Sequence, residues 1–350
     1  MQPEPDAPLA ALTTLRLGGP ARRLHTATTT DAILATVRAA DEQGTPLLVL
    51  GGGSNLVVGD EGFPGEVLRI ATTGLTIDGT DVTVEAGVPW DDVVTAAVAA
   101  GLSGIECLAG IPGSAGATPV QNVGAYGQEV AETITTVEVY DRTQDVVRVL
   151  PAADCGFTYR HSIFKADDRY IVLRVRFRLH DDAAESAPIR YAELARTLGV
   201  EPGDRVPVTE ARTAVLALRR AKGMVLDPAD HDTWSAGSFF TNPILTHAAF
   251  AALTSRAATH LGPEQTPPRY PSGPDHVKTS AAWLIERAGF TKGYGQGEAR
   301  ISTKHTLALT NRGKATTEDL LTLAREVQAG VATTFGITLT NEPVLINTKL

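Results

Sequence analysis

Residues 101–128 read GLSGIECLAGIPGSAGATPVQNVGAYGQ, with Glu106 as their single charge. Seven glycines and two prolines, Pro112 and Pro119, keep the stretch from forming a helix. A segment so poor in charge has to be buried or covered by something apolar and planar. Bare backbone of this kind is expected to lie against a ligand.

The same residues argue against a membrane crossing. Residues 107–128 carry no charge, but five glycines and both prolines would break the backbone hydrogen bonding that lipid demands. Residues 1–17 show neither a basic n-region nor a continuous apolar core, so no secretory signal is expected. The two cysteines, Cys107 and Cys155, form no disulfide framework and no metal-ligand spacing; they are expected as small buried side chains in a reducing compartment. A chain of 350 residues, 43% hydrophobic, can bury two or three packed units. With 31 basic and 40 acidic residues the net charge is -9, which disfavours nucleic acid as a partner. An anionic small molecule would need a few arginines and lysines converging locally.

Working outward, residues 31–43 place Ile33, Leu34, Val37 and Ala40 on one helical face, and the apolar run 46–50 follows as a buried strand. Alternation predicts a strand over 81–86 and a helix with acidic residues at its positive end over 91–100. Residues 137–140, 146–150 and 170–179 read as antiparallel strands, and 181–187 as a loop. Helices are predicted over 191–198, 208–221, 246–258, 278–288 and 316–335, the last opening on a capping box with Asp319 in place of Glu or Gln. The five prolines in 263–274 make a loop, and strands over 337–340 and 344–346 close the chain. The fold class is therefore α+β.

Gly51, Gly52, Gly53, Ser54 and Asn55 follow the first predicted strand and invite a dinucleotide-binding reading. That fingerprint needs a third glycine opening a helix, whereas Leu56, Val57 and Val58 favour a strand, so the Rossmann reading fails. The Walker loop fails as well, because Gly313-Lys314 lacks its upstream glycine and precedes an alanine. What remains is a nest of N–H groups with a hydroxyl and an amide, suited to phosphate oxygens without a helix or to a plain turn. With the similar loop at 109–128, two such loops could hold the two ends of one long dinucleotide.

Six segments in order, LGGGSNLVV (50–58), GIECLAGIPGSAGATPVQNVGAYG (104–127), TYRHSIF (158–164), AGSFFTNP (236–243), AAWLI (281–285) and NEPVLI (341–346), resemble the UDP-N-acetylenolpyruvoylglucosamine reductase family. The resemblance covers about residues 15–346. It implies an FAD-binding fold of the vanillyl-alcohol-oxidase/PCMH type plus a C-terminal α+β substrate domain, with subdomains at 1–67 and 68–205, a substrate domain at 206–335 and terminal strands at 336–350. It implies non-covalent FAD, since neither glycine loop holds a histidine. NADPH is the implied reductant and UDP-N-acetylglucosamine enolpyruvate the implied substrate, in the longer variety of the family with a substrate-capping tyrosine. The implied cofactor contacts are Gly51, Gly52, Gly53, Ser54, Asn55, Ile111, Pro112, Gly113, Ser114, Gly116, Ala117, Gln121, Asn122, Gly124, Ala125, Tyr126 and Gly127.

The implied reaction delivers hydride to the terminal vinyl carbon, so negative charge builds on the adjacent carbon and its carboxylate. Donors at that carboxylate and a proton for the carbon are then required. Tyr159 and Arg160 match the family's tyrosine-arginine pair, and a guanidinium suits a carboxylate because it stays charged and grips two oxygens. Ser238 matches the proton donor. Glu342 matches the glutamate that polarises the intermediate, for which it would have to be protonated. Tyr191 resembles the tyrosine over the nucleotide sugar, and Arg219, Lys222 and Asn242 match positions near the pyrophosphate. Trp283 and Leu284 are expected in the core of the third unit. Thr241 stands where many relatives have lysine, Pro343 follows Glu342 where a β-branched residue is usual, and residues 225–235 look like an insertion. An oxygen-using oxidase on the same fold and a non-catalytic nucleotide-sugar sensor are the alternatives, disfavoured by Arg160, Ser238 and Glu342 together. No catalytic metal, membrane, nucleic acid or obligate protein partner is implied, and the cytoplasm is the expected location.

Overall fold

Alternation of apolar and polar residues builds the larger sheet of the molecule. In the computed structural model, which describes residues 3–165 and 167–350, Asp81–Glu85 and Tyr170–Arg178 each turn one face inward, burying Val82, Val84, Val175 and Phe177. Five antiparallel strands run in the order Val146–Pro151, Ile134–Asp141, Tyr170–Arg178, Asp81–Glu85, Leu75–Asp78. A smaller sheet orders Glu4–Pro8, Pro20–Ala27, Phe63–Ile70 and Leu47–Leu50, with Phe63–Ile70 parallel to both Pro20–Ala27 and Leu47–Leu50. The helix Thr30–Glu42 connects strands of this sheet, starting where the Thr29 side chain accepts the Ala32 N–H.

The chain divides into two compact units. The first comprises the chain as far as Ala7 together with Ala21–Gly53 and Phe63–Val225; the second comprises Pro8–Pro20, Ser54–Gly62 and Leu226–Leu350. In the first, Trp90 is fully buried, lies 5.7 Å from the Phe177 ring and donates its indole N–H to the Leu108 carbonyl. This bond ties the opening of helix Trp90–Ala99 to the glycine-rich stretch. Glu106, the lone charge of that stretch, is wholly buried; its carboxylate accepts the N–H groups of Gly104 (2.6 Å) and Ala187 (2.7 Å). Helices Ala192–Leu198 and Val208–Ala221 complete this unit.

The second unit is built on the helix Thr317–Phe335. Its predicted capping box is present, with Thr316 and Asp319 bonded reciprocally, and the Asp60 carboxylate accepts two further N–H groups, of Thr317 and Glu318. Leu320, Val327, Val331 and Phe335 pack with Phe239, Phe240 and Leu284, and the half-buried Trp283 lies against Phe335, as core. Two readings of the sequence are corrected. Residues 337–340 form no strand, and the helix expected from 278 begins at Ala281, since His276–Lys278 is a strand and Ser280 caps the helix. Leu56–Val58 is the strand its residues favoured and pairs in parallel with Val344–Ile346. No helix among the described residues is long and apolar enough to cross a membrane.

Candidate active site

In the first unit, strand Leu47–Leu50 delivers Gly51, Gly52 and Gly53 against the second glycine loop. A Cβ on Gly52 would lie 2.6 Å from the Gly113 Cα, and one on Gly51 2.6 Å from the Ser114 Oγ. Any larger residue would push the loops apart. The second loop is pinned from behind, where Ala115 donates to the Val88 carbonyl, Gly116 to that of Ala86, and Trp90 to that of Gly113. Gly116 has no room for a Cβ beside Ala86. Among the described residues, the N–H groups of Gly52, Gly53, Gly113 and Ser114 donate to no backbone carbonyl. Ile111, Pro112 and Ala117 complete this part of the loop.

The loop then folds on itself. Gly124–Ala125 pairs with Gln128–Glu129, and Asn122, Tyr126 and Gly127 all take positive φ. Gln121 precedes this turn. The buried Asn122 side chain is committed to protein: it donates to Glu129 Oε2 (2.8 Å) and the Thr158 carbonyl (3.1 Å) and accepts the Ala131 N–H (3.1 Å). A flavin contact by Asn122 therefore falls to its backbone. Tyr126 meets Tyr191 edge to face at 5.4 Å, and burial pushes its phenol up to about 12.

Lys222 is ion-paired with Glu193 and lies 5.6 Å from the Tyr126 ring centroid. Arg219 is 9% exposed and donates to the carbonyls of Gly110 (3.3 Å) and Met224 (2.7 Å). Its Nε has no hydrogen-bond partner among the described residues, and burial lowers the guanidinium to about 10. A cation buried without a carboxylate partner is stabilised by an anionic ligand. The bare N–H groups and the glycine cradle make the residues of this unit fit FAD. Tyr159 and Arg160 form a two-residue turn closed by mutual bonds between Thr158 and His161, and the Arg160 Nη2 donates to the Gly124 carbonyl (2.7 Å).

In the second unit, three chain-distant segments converge. Glu342 donates its N–H to the Phe239 carbonyl (2.8 Å), Phe240 bridges Asn341, and Thr241 donates to the Thr340 carbonyl. Glu342 is thereby set opposite Phe239, the residue after Ser238, although Ser238 and Glu342 are 104 residues apart in the chain. Asn55 joins them, its Nδ2 donating to the Glu342 carbonyl and its own carbonyl accepting the Val344 N–H. Ser54 opens this segment of the unit. Asn242 is occupied differently: its carboxamide oxygen accepts the Ala281 N–H (3.0 Å) at the start of helix Ala281–Arg287. The sequence reading named neither of two acidic residues here. Glu129 had a signal, as the first charge after the bare stretch; Glu193, 29 residues before its partner Lys222, had no local one.

Both cysteines are buried, and burial lifts the Cys155 thiol to about 11 and that of Cys107 still further. They pack as small apolar side chains. Among the described residues no group of three or more His, Cys, Asp or Glu is placed to hold a metal ion.

Over residues 21–150 the chain matches the FAD binding domain family, and the fold and cradle define an FAD-dependent oxidoreductase. Residues 227–346 match the family described as UDP-N-acetylenolpyruvoylglucosamine reductase, C-terminal domain. The chain is similar to the UDP-N-acetylenolpyruvoylglucosamine reductase of Streptomyces avermitilis, at 67% identity over 99% of this chain and 95% of the relative. That of Mycolicibacterium smegmatis is 55% identical, with 98% and 95% covered. Among solved structures, UDP-N-acetylenolpyruvylglucosamine reductase from Thermus caldophilus superposes with a TM-score of 0.68 at 30% identity, over 99% of each chain. This chain belongs to the UDP-N-acetylenolpyruvoylglucosamine reductase family.

Proposed function

We propose that the chain reduces UDP-N-acetylglucosamine enolpyruvate to UDP-N-acetylmuramate for peptidoglycan synthesis, drawing electrons from NADPH, with Arg160, Ser238 and Glu342 as its reacting side chains. FAD, when bound, supplies the hydride relay between NADPH and the enolpyruvyl double bond. The loops at 51–55 and 111–127 hold it through backbone N–H groups, and the buried positive charge of Arg219 serves the substrate pyrophosphate.

Arg160, steadied by Tyr159, holds the substrate carboxylate and favours the charge that grows on it. Ser238 gives its hydroxyl proton to the carbon beside that carboxylate. A hydroxyl is a weak acid, so this transfer needs a strongly basic acceptor, which the enolate is. Glu342, protonated, donates toward the developing charge and opposes its collapse. Tyr191, 43% exposed at the opening of its helix, covers the nucleotide sugar, and Lys222 reaches the pyrophosphate by exchanging Glu193 for phosphate. Asn242 contributes by fixing the start of helix Ala281–Arg287. On this reading residues 1–67 and 68–205 carry the flavin, 206–335 the substrate and 336–350 the glutamate. The enzyme works in the cytoplasm without an obligate protein partner.

The observation that carries this reading is the pairing of residues 239–241 with 340–342, in which the Glu342 N–H donates to the carbonyl of Phe239, the residue that follows Ser238. An anaerobic visible spectrum tests it. NADPH should bleach the flavin band and the enolpyruvyl sugar should restore it; a band that returns only on admitting air would make the protein an oxidase instead.

A further inference from the structure

Arg160 sits at φ +54° and Asn122 at φ +47°, both in the left-handed region that L-residues seldom adopt. Such residues persist where surrounding bonds over-determine them. Here those bonds converge on Asn122. Its amide grips the carbonyl of Thr158, at the base of the turn that carries Arg160, while its oxygen holds Ala131 and its second donor contact holds Glu129. Arg160 is tied back to the same loop, through Nη2 to the Gly124 carbonyl, and its own carbonyl accepts the Lys165 ammonium (3.0 Å). Gly124 permits this approach: a Cβ there would lie 2.8 Å from the Glu129 Cγ and 3.1 Å from the Arg160 Nη1.

We propose that Asn122, braced by Glu129, is a positioning residue for Arg160 that couples the flavin-binding loop to the grip on the substrate carboxylate. The inference rests on the role given above to Arg160. Its physical content is that a guanidinium set on a strained two-residue turn has no intrinsic preference for the productive pose. Removing the Asn122 amide lets the turn relax and moves the guanidinium by a fraction of a side-chain length, and a displacement of about 1 Å costs up to roughly 100-fold in rate.

The test separates the two half-reactions by stopped flow on the holoenzyme. Asn122→Ala should slow flavin reoxidation by the enolpyruvyl sugar about 10- to 100-fold, well beyond any change in NADPH reduction or flavin content. Glu129→Gln, which keeps an oxygen for the Asn122 amide, should reoxidise close to the parent rate, and Glu129→Ala should be slow. If Asn122→Ala fails to fold, the Glu129 pair carries the test. The Asn122→Ala/Arg160→Ala double variant should be no slower than Arg160→Ala alone. Fully additive losses, or equal slowing of both half-reactions with loss of flavin, would overturn the coupling. Normal reoxidation by Arg160→Ala would instead sink the role of Arg160 itself.

Discussion

The two units prepare their chemistry in opposite ways. In the first, residues 111–127 are nearly contiguous and present backbone: glycines in close contact, N–H groups, and little side-chain chemistry. In the second, Ser238 and Glu342, the side chains proposed for acid-base work, lie on segments distant in the chain that pair in space, 237–241 with 339–342 and 54–58 with 344–346. The first region depends on what is missing from its residues, and the second on what is bonded to them. A ligand as large as a dinucleotide needs a long smooth surface, whereas a proton transfer needs two groups at one point.

That contrast can be broken from either side. The largest effect expected is from Ser238→Ala, which should slow flavin reoxidation by the enolpyruvyl sugar about 10²- to 10⁴-fold while NADPH still bleaches the flavin, as single-turnover spectra would record. Phe240→Ala removes a fully buried ring beside the Asn341 bridge. It should cost about 3–5 kcal/mol by denaturant unfolding, with activity falling before flavin content does. Gly52→Val works in the other unit: overpacking against Gly113 should cost about 1–3 kcal/mol and show as flavin lost on dialysis. Thr316→Ala sharpens the comparison as a control. Losing the cap of helix Thr317–Phe335 should cost about 1 kcal/mol of stability and leave both half-reactions intact.

Acid should act on the first unit through Asp141. The Arg169 guanidinium bonded to it, with Thr143, holds its carboxyl well below the usual carboxylate range despite burial. A folded-state value depressed in this way stabilises above the unfolded-state value near 4 and is lost as pH falls through the folded one. Asp141→Asn should therefore lower the melting temperature at neutral pH and flatten its fall toward acid pH.

Legibility followed locality. Helix Val208–Ala221 and strand Val344–Ile346 were readable to the residue, because periodicity and caps are written in neighbouring positions. Strand Phe63–Ile70, which carries Pro64 and Gly65 within it and is paired on both sides, was not read as a strand at all; its burial comes from partners elsewhere in the chain. Residues 337–340 look like a strand by composition, yet Ile337 and Leu339 are buried by packing in the second unit's core, and Thr340 meets Thr241 through a backbone bond without a strand forming. The site divides in the same way. The glycine loops announced themselves, while the pairing of Lys222 with Glu193 and the commitment of Asn122 and Asn242 to backbone groups required coordinates.

By itself the sequence determined that residues 101–128 are buried bare backbone, that no Rossmann helix follows Gly53, and that six motifs stand in the order of one reductase family. The tertiary structure decided which of the named side chains are still available to a ligand. A residue type states what bonds a side chain can make; whether the protein has already made them depends on neighbours that chain folding alone brings within 3 Å.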